Sequence, residues 1–310
     1  MRCGCLLPGL VALGLLASAP GASSEGRDEL RIRGLSLEGQ RLEGDDDPRI
    51  AALWTEGLRL ENRGQLLESS GRYERIAQAL PTSATIRWRL ARNHWRHGES
   101  LPTRDKRGRL HFFGLSKRWA EDGIAVDDSC GECMFWKAAG LGRLATTGGV
   151  IEAAGSASTI AKLIERAIEL KPTHQDGPRN VTLANLYYAG AGFYRVVPDW
   201  WWLPMLIGVR GDRQRALDYI DQAIEITYNR IDYHIERGAV LLCMGTKEGE
   251  PARVEQGRAV LREALTIEEF LETDTFDRDH ARTLMQDPSK GCGYSRDGWI
   301  DLSEAEDAGP

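Results

Sequence analysis

The chain has 310 residues, with 40 lysines and arginines against 46 aspartates and glutamates for a formal net charge of −6. No basic stretch stands out, which excludes the electrostatic footprint of a nucleic-acid binder. Length alone admits one extended domain or two compact ones. At the start, Arg2 is followed by an apolar run from Leu6 to Leu16, then by the small residues Ala17-Ser18-Ala19 and Gly21-Ala22-Ser23-Ser24. That order reads as a signal peptide over residues 1–24, cut after Ser23 or Ser24 because Pro20 would follow a cut at Ala19. The chain is therefore expected to be exported: periplasmic in a bacterium, or membrane-anchored if the segment stays uncleaved. Cys3 and Cys5 precede the apolar run, so no lipoprotein attachment cysteine is apparent.

Residues 25–48 read as a polar leader or linker, with weak strand-like alternation at Leu30-Arg31-Ile32-Arg33 and an acidic run at Asp45-Asp46-Asp47 before Pro48. Residues 49–286 are a succession of windows with helical apolar spacing, beginning with Ile50, Leu53, Trp54, Leu58, Leu60 and Leu67. Residues 287–310, with Gly291, Gly293, Gly298 and an acidic end, read as loop and C-terminal tail.

Four helical windows share a spacing of four and then three residues: Ser116, Ala120, Gly123; Ile160, Ile164, Ala167; Ala216, Ile220, Ala223; and Gly257, Leu261, Ala264. Each triplet lines one helix face and ends on a small residue, as a close helix contact requires. Two continue alike, as Ala-Ile-Glu-Leu-Lys-Pro from Ala167 and Ala-Ile-Glu-Ile-Thr from Ala223, with Pro172 where the first helix must stop. Upstream lie partner-helix patterns: Trp88, Ala91, Arg92, Trp95, with Arg92 where a small residue is usual; then Val181, Ala184, Asn185, Tyr188; and, more loosely, His234, Arg237, Gly238, Leu241. Met134 to Leu144, with Trp136, is also helical. These are the features of tetratricopeptide helix pairs, so the fold class is all-α: an α/α solenoid of four or five irregular TPR-like pairs with insertions. A generic helical bundle is the alternative. The last triplet members are separated by 44, 56 and 41 residues, against about 34 in a regular array.

The longest insertion holds Tyr187, Tyr188, Phe193, Tyr194, Trp200, Trp201, Trp202 and Met205. Three consecutive tryptophans cannot all face one core, so these eight residues are the candidate ligand- or partner-binding surface. A self-packed loop and a membrane-interface belt are the other readings of the same composition. Cys130, Cys133, Cys243 and Cys292 can form two disulfides, with the pairing open. Ser129 and Glu132 have the form of a capping box, placing the Cys130/Cys133 pair at a helix start where a thiol-disulfide enzyme would hold it, although no βαβ pattern accompanies it. His94 and His97 share a helix face without a third ligand, and Asp274, Asp277 and Asp279 lack the glycine and closing glutamate of a calcium loop. Asn180-Val181-Thr182 is a formal glycosylation sequon. No metal, cofactor or catalytic set is indicated, and the weight falls on binding rather than catalysis.

From Ser116 to Ala264 the chain resembles the periplasmic T-component family of tripartite (TRAP-type) transporters. The likeness rests on the Cys133 to Trp136 helix, the Ala167 to Pro172 ending, the Gly177-Pro178 entry, the aromatic insertion, and Gly211-Asp212-Arg213-Gln214-Arg215-Ala216-Leu217. It also resembles the regulator of microtubule dynamics group, which shares the Cys-x-x-Trp helix and a Trp-rich insertion; an export signal argues against the cytoskeletal role. The first resemblance implies an adaptor or ligand-presenting subunit whose partner is a solute-binding protein, with an apolar small molecule as ligand; a further copy of the chain is a separate expected partner. A generic envelope scaffold whose aromatics complete the core, and a thiol-disulfide protein using Cys130 and Cys133, are the competing functional readings.

Overall fold

A computed structural model describes residue 42 and residues 46–148, 150–177, 179–271, 273–296 and 298–299. The export segment, nearly all of the leader with its Leu30–Ile32 alternation, and residues 300–310 lie outside the described residues. The end of the acidic run opens the first helix: Asp47 accepts from the Arg49 amide at 2.8 Å, and Pro48 takes the first helical position, where its missing amide costs nothing.

Twelve helices follow among the described residues. Five antiparallel pairs form from α1 (Pro48–Asn62) with α2 (Leu66–Ala79), α3 (Ala84–Ser100) with α4 (Lys106–Val126), and α5 (Gly131–Gly148) with α6 (Val150–Leu170). The fourth joins α7 (Thr182–Val196) to α9 (Arg213–Ile226), with the single turn α8 (Leu203–Ile207) in the insertion between them. The fifth is α10 (Ile231–Glu248) with α11 (Pro251–Ala264), and α12 (Asp274–Gln286) packs on both its members. The result is an α/α solenoid of irregular TPR-like pairs. The only sheet among the described residues is a two-residue hairpin of β1 (Tyr294–Ser295) and β2 (Gly298–Trp299).

The triplets occupy the contact faces their spacing requires. Ala120, Ile160, Ala167, Ala216, Ile220, Ala223, Leu261 and Ala264 are all fully buried, and each large aliphatic so enclosed contributes about 1.5–3 kcal/mol. Their small members set the approach distance. A Cβ on Gly123 would sit 2.6 Å from the Cys133 sulfur, and one on Gly257 would sit 2.9 Å from Leu242. Helix α6 stops at Leu170, where Lys171 takes a left-handed conformation (φ 49°) before Pro172.

Buried ion pairs, like rungs, join α1 to α3, α3 to α5 and α7 to α10, each the first helix of its pair. Glu61 of α1 takes Arg89 and Arg92 of α3; Glu99 of α3 takes Arg143 of α5, with an Nη2 bond of 2.8 Å; Arg195 of α7 takes Glu236 of α10 at 2.6 Å. The last rung places Arg296 between Asp277 of α12 and Asp232 of α10. Arg92, unusual for its repeat slot, is explained by this: its guanidinium spans Glu61 and Asp176. Against the cost of burial, Arg92, Arg89 and Arg96 hold the Glu61 carboxyl below its usual range, and Arg92 and His174 do the same for Asp176. Such pairs add little net stability, but breaking one by removing a partner costs about 3–5 kcal/mol, so they fix register between neighbouring pairs.

Two segments of the chain itself cover this row of first helices. The α6–α7 connection lays His174 against Trp88, ring centroids 4.5 Å apart, and puts Asp176 on Arg92. At the other end, residues expected to be loop and tail are packed. A 3-10 turn at Pro288–Gly291 leads to Gly291, Cys292 and Tyr294, whose carbonyls accept from Arg195 at 3.0, 2.7 and 2.8 Å. Tyr294 and Arg296 are buried, and Cys292 is joined to Cys243. The acidic residues 274–279 belong to the same arrangement. Asp277 holds Arg296, while Asp274 accepts from the Phe270 and Leu271 amides at 2.5 and 2.7 Å.

Candidate functional site

The aromatic insertion is a loop closed at its neck. The Gly211 amide donates to the Pro198 carbonyl at 2.9 Å and the Asp212 amide to that of Tyr194 at 3.0 Å. The neck is so tight that a Cβ on Gly211 would sit 1.9 Å from the Val197 oxygen. Asp212 then caps α9 by accepting from the Arg215 amide at 2.9 Å. Within the loop, Trp200 and Trp202 stack with centroids 5.0 Å apart and pack on the central core. Leu203 and Ile207 of α8 are buried beneath them, and Gly208 (φ 74°) ends the turn over Ser158 of α6.

What remains faces outward: Trp201 is 73%, Met205 70% and Leu206 66% exposed. These are the large apolar side chains that the loop does not bury, beside Trp200 and Trp202 in the sequence, which stack and pack on the core. At the foot of the loop, Arg210 and Arg213 share the Asp199 carboxylate at 3.7 and 3.8 Å.

The eight candidate residues therefore divide. Trp201 and Met205 are at the surface, and Trp200 and Trp202 are the half-buried base. Tyr188, Phe193 and Tyr194 are core, not contact surface. Tyr188 stacks on Tyr233 at 5.2 Å, Phe193 is fully enclosed, and the Tyr194 hydroxyl donates to Glu165 at 2.5 Å while accepting from Arg215. Tyr187 is half-buried, edge-on to Tyr219 at 5.6 Å. These first four aromatics lie on α7, whose helical period sends most of them inward, and their closeness in the sequence hides this. Leu206 completes the exposed cluster; its place one residue past Met205 on a single helical turn is the signal that identifies it.

The cysteines pair as Cys130–Cys133 and Cys243–Cys292. The expected capping box does not form. The Ser129 hydroxyl donates to Asp127, Glu132 accepts from the His174 amide, and the Cys130 sulfur itself accepts from the Cys133 amide at 3.1 Å. Both cysteines are buried against Trp88, whereas disulfide exchange needs a sulfur that a second thiolate can reach. His94 and His97 flank Phe112 with His111, and His94 has no hydrogen bond on either ring nitrogen. No group of three His, Cys, Asp or Glu among the described residues is placed to hold a metal ion, and no described helix is long and apolar enough to cross a membrane.

The family described as "Regulator of microtubule dynamics protein 1-3" matches residues 57–176. That segment contains Glu61, Arg92 and Asp176, so the whole first ion-pair network lies inside it. No curated protein matches the chain. Among solved structures, "Crystal structure of MamA protein" is 12% identical, spanning 74% of this chain and 99% of that one with a TM-score of 0.44. PilF of Pseudomonas aeruginosa is 12% identical, spanning 86% of this chain and 98% of that one with a TM-score of 0.47. The chain is a TPR-like helical protein by its own paired helices and triplet packing.

Proposed function

We propose that the chain is an exported adaptor that works by binding, and that the α8 tip is its contact surface. The observation that carries this is the exposure of Trp201, Met205 and Leu206 on a base locked by Trp200 and Trp202. An exposed tryptophan, with few side-chain torsions to fix, loses little entropy on contact and buries a large area. The row of first helices, by contrast, is already occupied by the same chain, with His174 and Asp176 on α3 and Arg296 on α10. The resemblance over Ser116–Ala264 makes a transporter's solute-binding subunit one partner of the right kind, with this chain as the scaffolding or ligand-presenting subunit.

The test is site-specific photo-crosslinking in the native envelope. A photoreactive residue at position 201 should give an adduct, and one at Lys117, on α4, should not. Equal yields at both positions, or none at 201, would sink the assignment of the tip.

A further inference from the structure

We infer that the α8 tip docks on a lipid headgroup interface, with Trp201, Met205 and Leu206 entering the acyl boundary; this rests on the tip being the contact surface. Three observations carry it. Trp201, Met205 and Leu206 are all exposed and fall within six positions of one another, so one short segment presents all three. The same segment runs on to the cations Arg210 and Arg213. An indole, aliphatic groups and adjacent cations are the composition of an interfacial element, with aliphatic groups among acyl chains, the indole at headgroup level and cations beside phosphates.

The third observation is charge. Arg210 is 56% exposed and shares Asp199 with Arg213. Lys162 is exposed on α6, one turn beyond the Ser158 that underlies Gly208. With Arg215 these make four cations against the three carboxylates of Asp199, Glu165 and Asp212. Glu165 is engaged by Arg215 and Tyr194, and Asp212 caps α9. These seven groups sum to one net positive charge, complementary to anionic headgroups.

The experiment uses the full chain with vesicles of phosphatidylcholine alone or mixed equally with phosphatidylglycerol. The wild type should sediment with vesicles, more strongly with the anionic mixture, and acyl-chain bromines should quench its tryptophan emission. That quenching should be lost in Trp201→Phe, which keeps the apolar surface. The triple variant Trp201→Ser, Met205→Ser, Leu206→Ser should bind at least about tenfold more weakly, given the apolar area withdrawn. Arg210→Glu should weaken binding to the anionic vesicles alone. All three tip side chains lie outside the core, so circular dichroism and thermal unfolding of the triple variant should match the wild type. A wild type that stays in the supernatant, or a triple variant that binds equally, overturns the inference. A photo-adduct to protein at position 201 with no vesicle binding overturns it while leaving the tip a protein contact; neither adduct nor vesicle binding removes both readings.

Discussion

Acid should destabilise this fold through His94, by an amount its surroundings fix. The imidazole is 5% exposed on α3, with neither nitrogen hydrogen-bonded. Burial first, and then the neighbouring His97, His111 and Arg118, push its pKa down to about 4. In the unfolded chain it titrates at about 6.5. Between those values the unfolded state binds the extra proton, so stability is complete above about pH 6.5 and falls as the pH drops toward 4. Each tenfold difference in proton affinity between the folded and unfolded chain is worth about 1.36 kcal/mol, which gives a loss of about 2 kcal/mol at pH 5 and a limit of about 3.4 kcal/mol below pH 4. His97 is depressed in the same direction, chiefly by burial, and adds to the slope. The assay is urea unfolding followed by circular dichroism at pH 7.5 and pH 5, for the wild type and His94→Leu. The variant keeps an apolar residue against Phe112 and cannot titrate, so its loss between the two pH values should be smaller by about 2 kcal/mol. Parallel pH dependence in the two proteins would refute the reasoning, because His174 and His234 titrate alike in both.

Gly211→Ala should cost about 3 kcal/mol, because the new methyl meets the Val197 oxygen at the loop's neck; a fall in Tm of under about 2 °C would show that the neck yields. Arg195→Met strips Glu236 of its partner and withdraws the guanidinium from the Gly291, Cys292 and Tyr294 carbonyls, for an expected loss of about 3–5 kcal/mol by chemical denaturation. Amide exchange should then rise at residues 291–296, and unchanged protection there would remove Arg195 from the closure. Replacing Cys243 and Cys292 by serine should cost about 4 kcal/mol, from a chain separation of 49 residues. The same exchange at Cys130 and Cys133, three residues apart, should cost under about 2 kcal/mol, and equal effects would contradict the loop-closure account.

The solenoid was legible because the triplets combine a period with a size restriction. Ala167, Ala223 and Ala264 are small where two helices touch, and stacked pairs ask for small residues at that interval. The tip was half legible: three tryptophans in a row demand that one turn outward, but which one depends on where the turn before α8 begins. The ion-pair rungs were hidden. Glu61 and Asp176 lie 115 residues apart, and nothing local marks either as buried; Arg92, conspicuous in a slot for small residues, was the one visible trace. The packed stretch after residue 287 was obscured by its glycines, which read as tail because backbone that is ordered by its carbonyls shows no side-chain pattern.

The closure at residues 291–296 also sets the order in which the molecule is completed. As the chain emerges during synthesis, the earlier pairs can stack by local contacts, but Arg195 waits about 100 residues for the carbonyls it serves. Asp277 waits likewise for Arg296, whereas Asp232 already holds Arg230. The fourth and fifth pairs are therefore complete only once residues 291–296 have joined them, so the segment after α12 is a structural part of both pairs rather than an appendage.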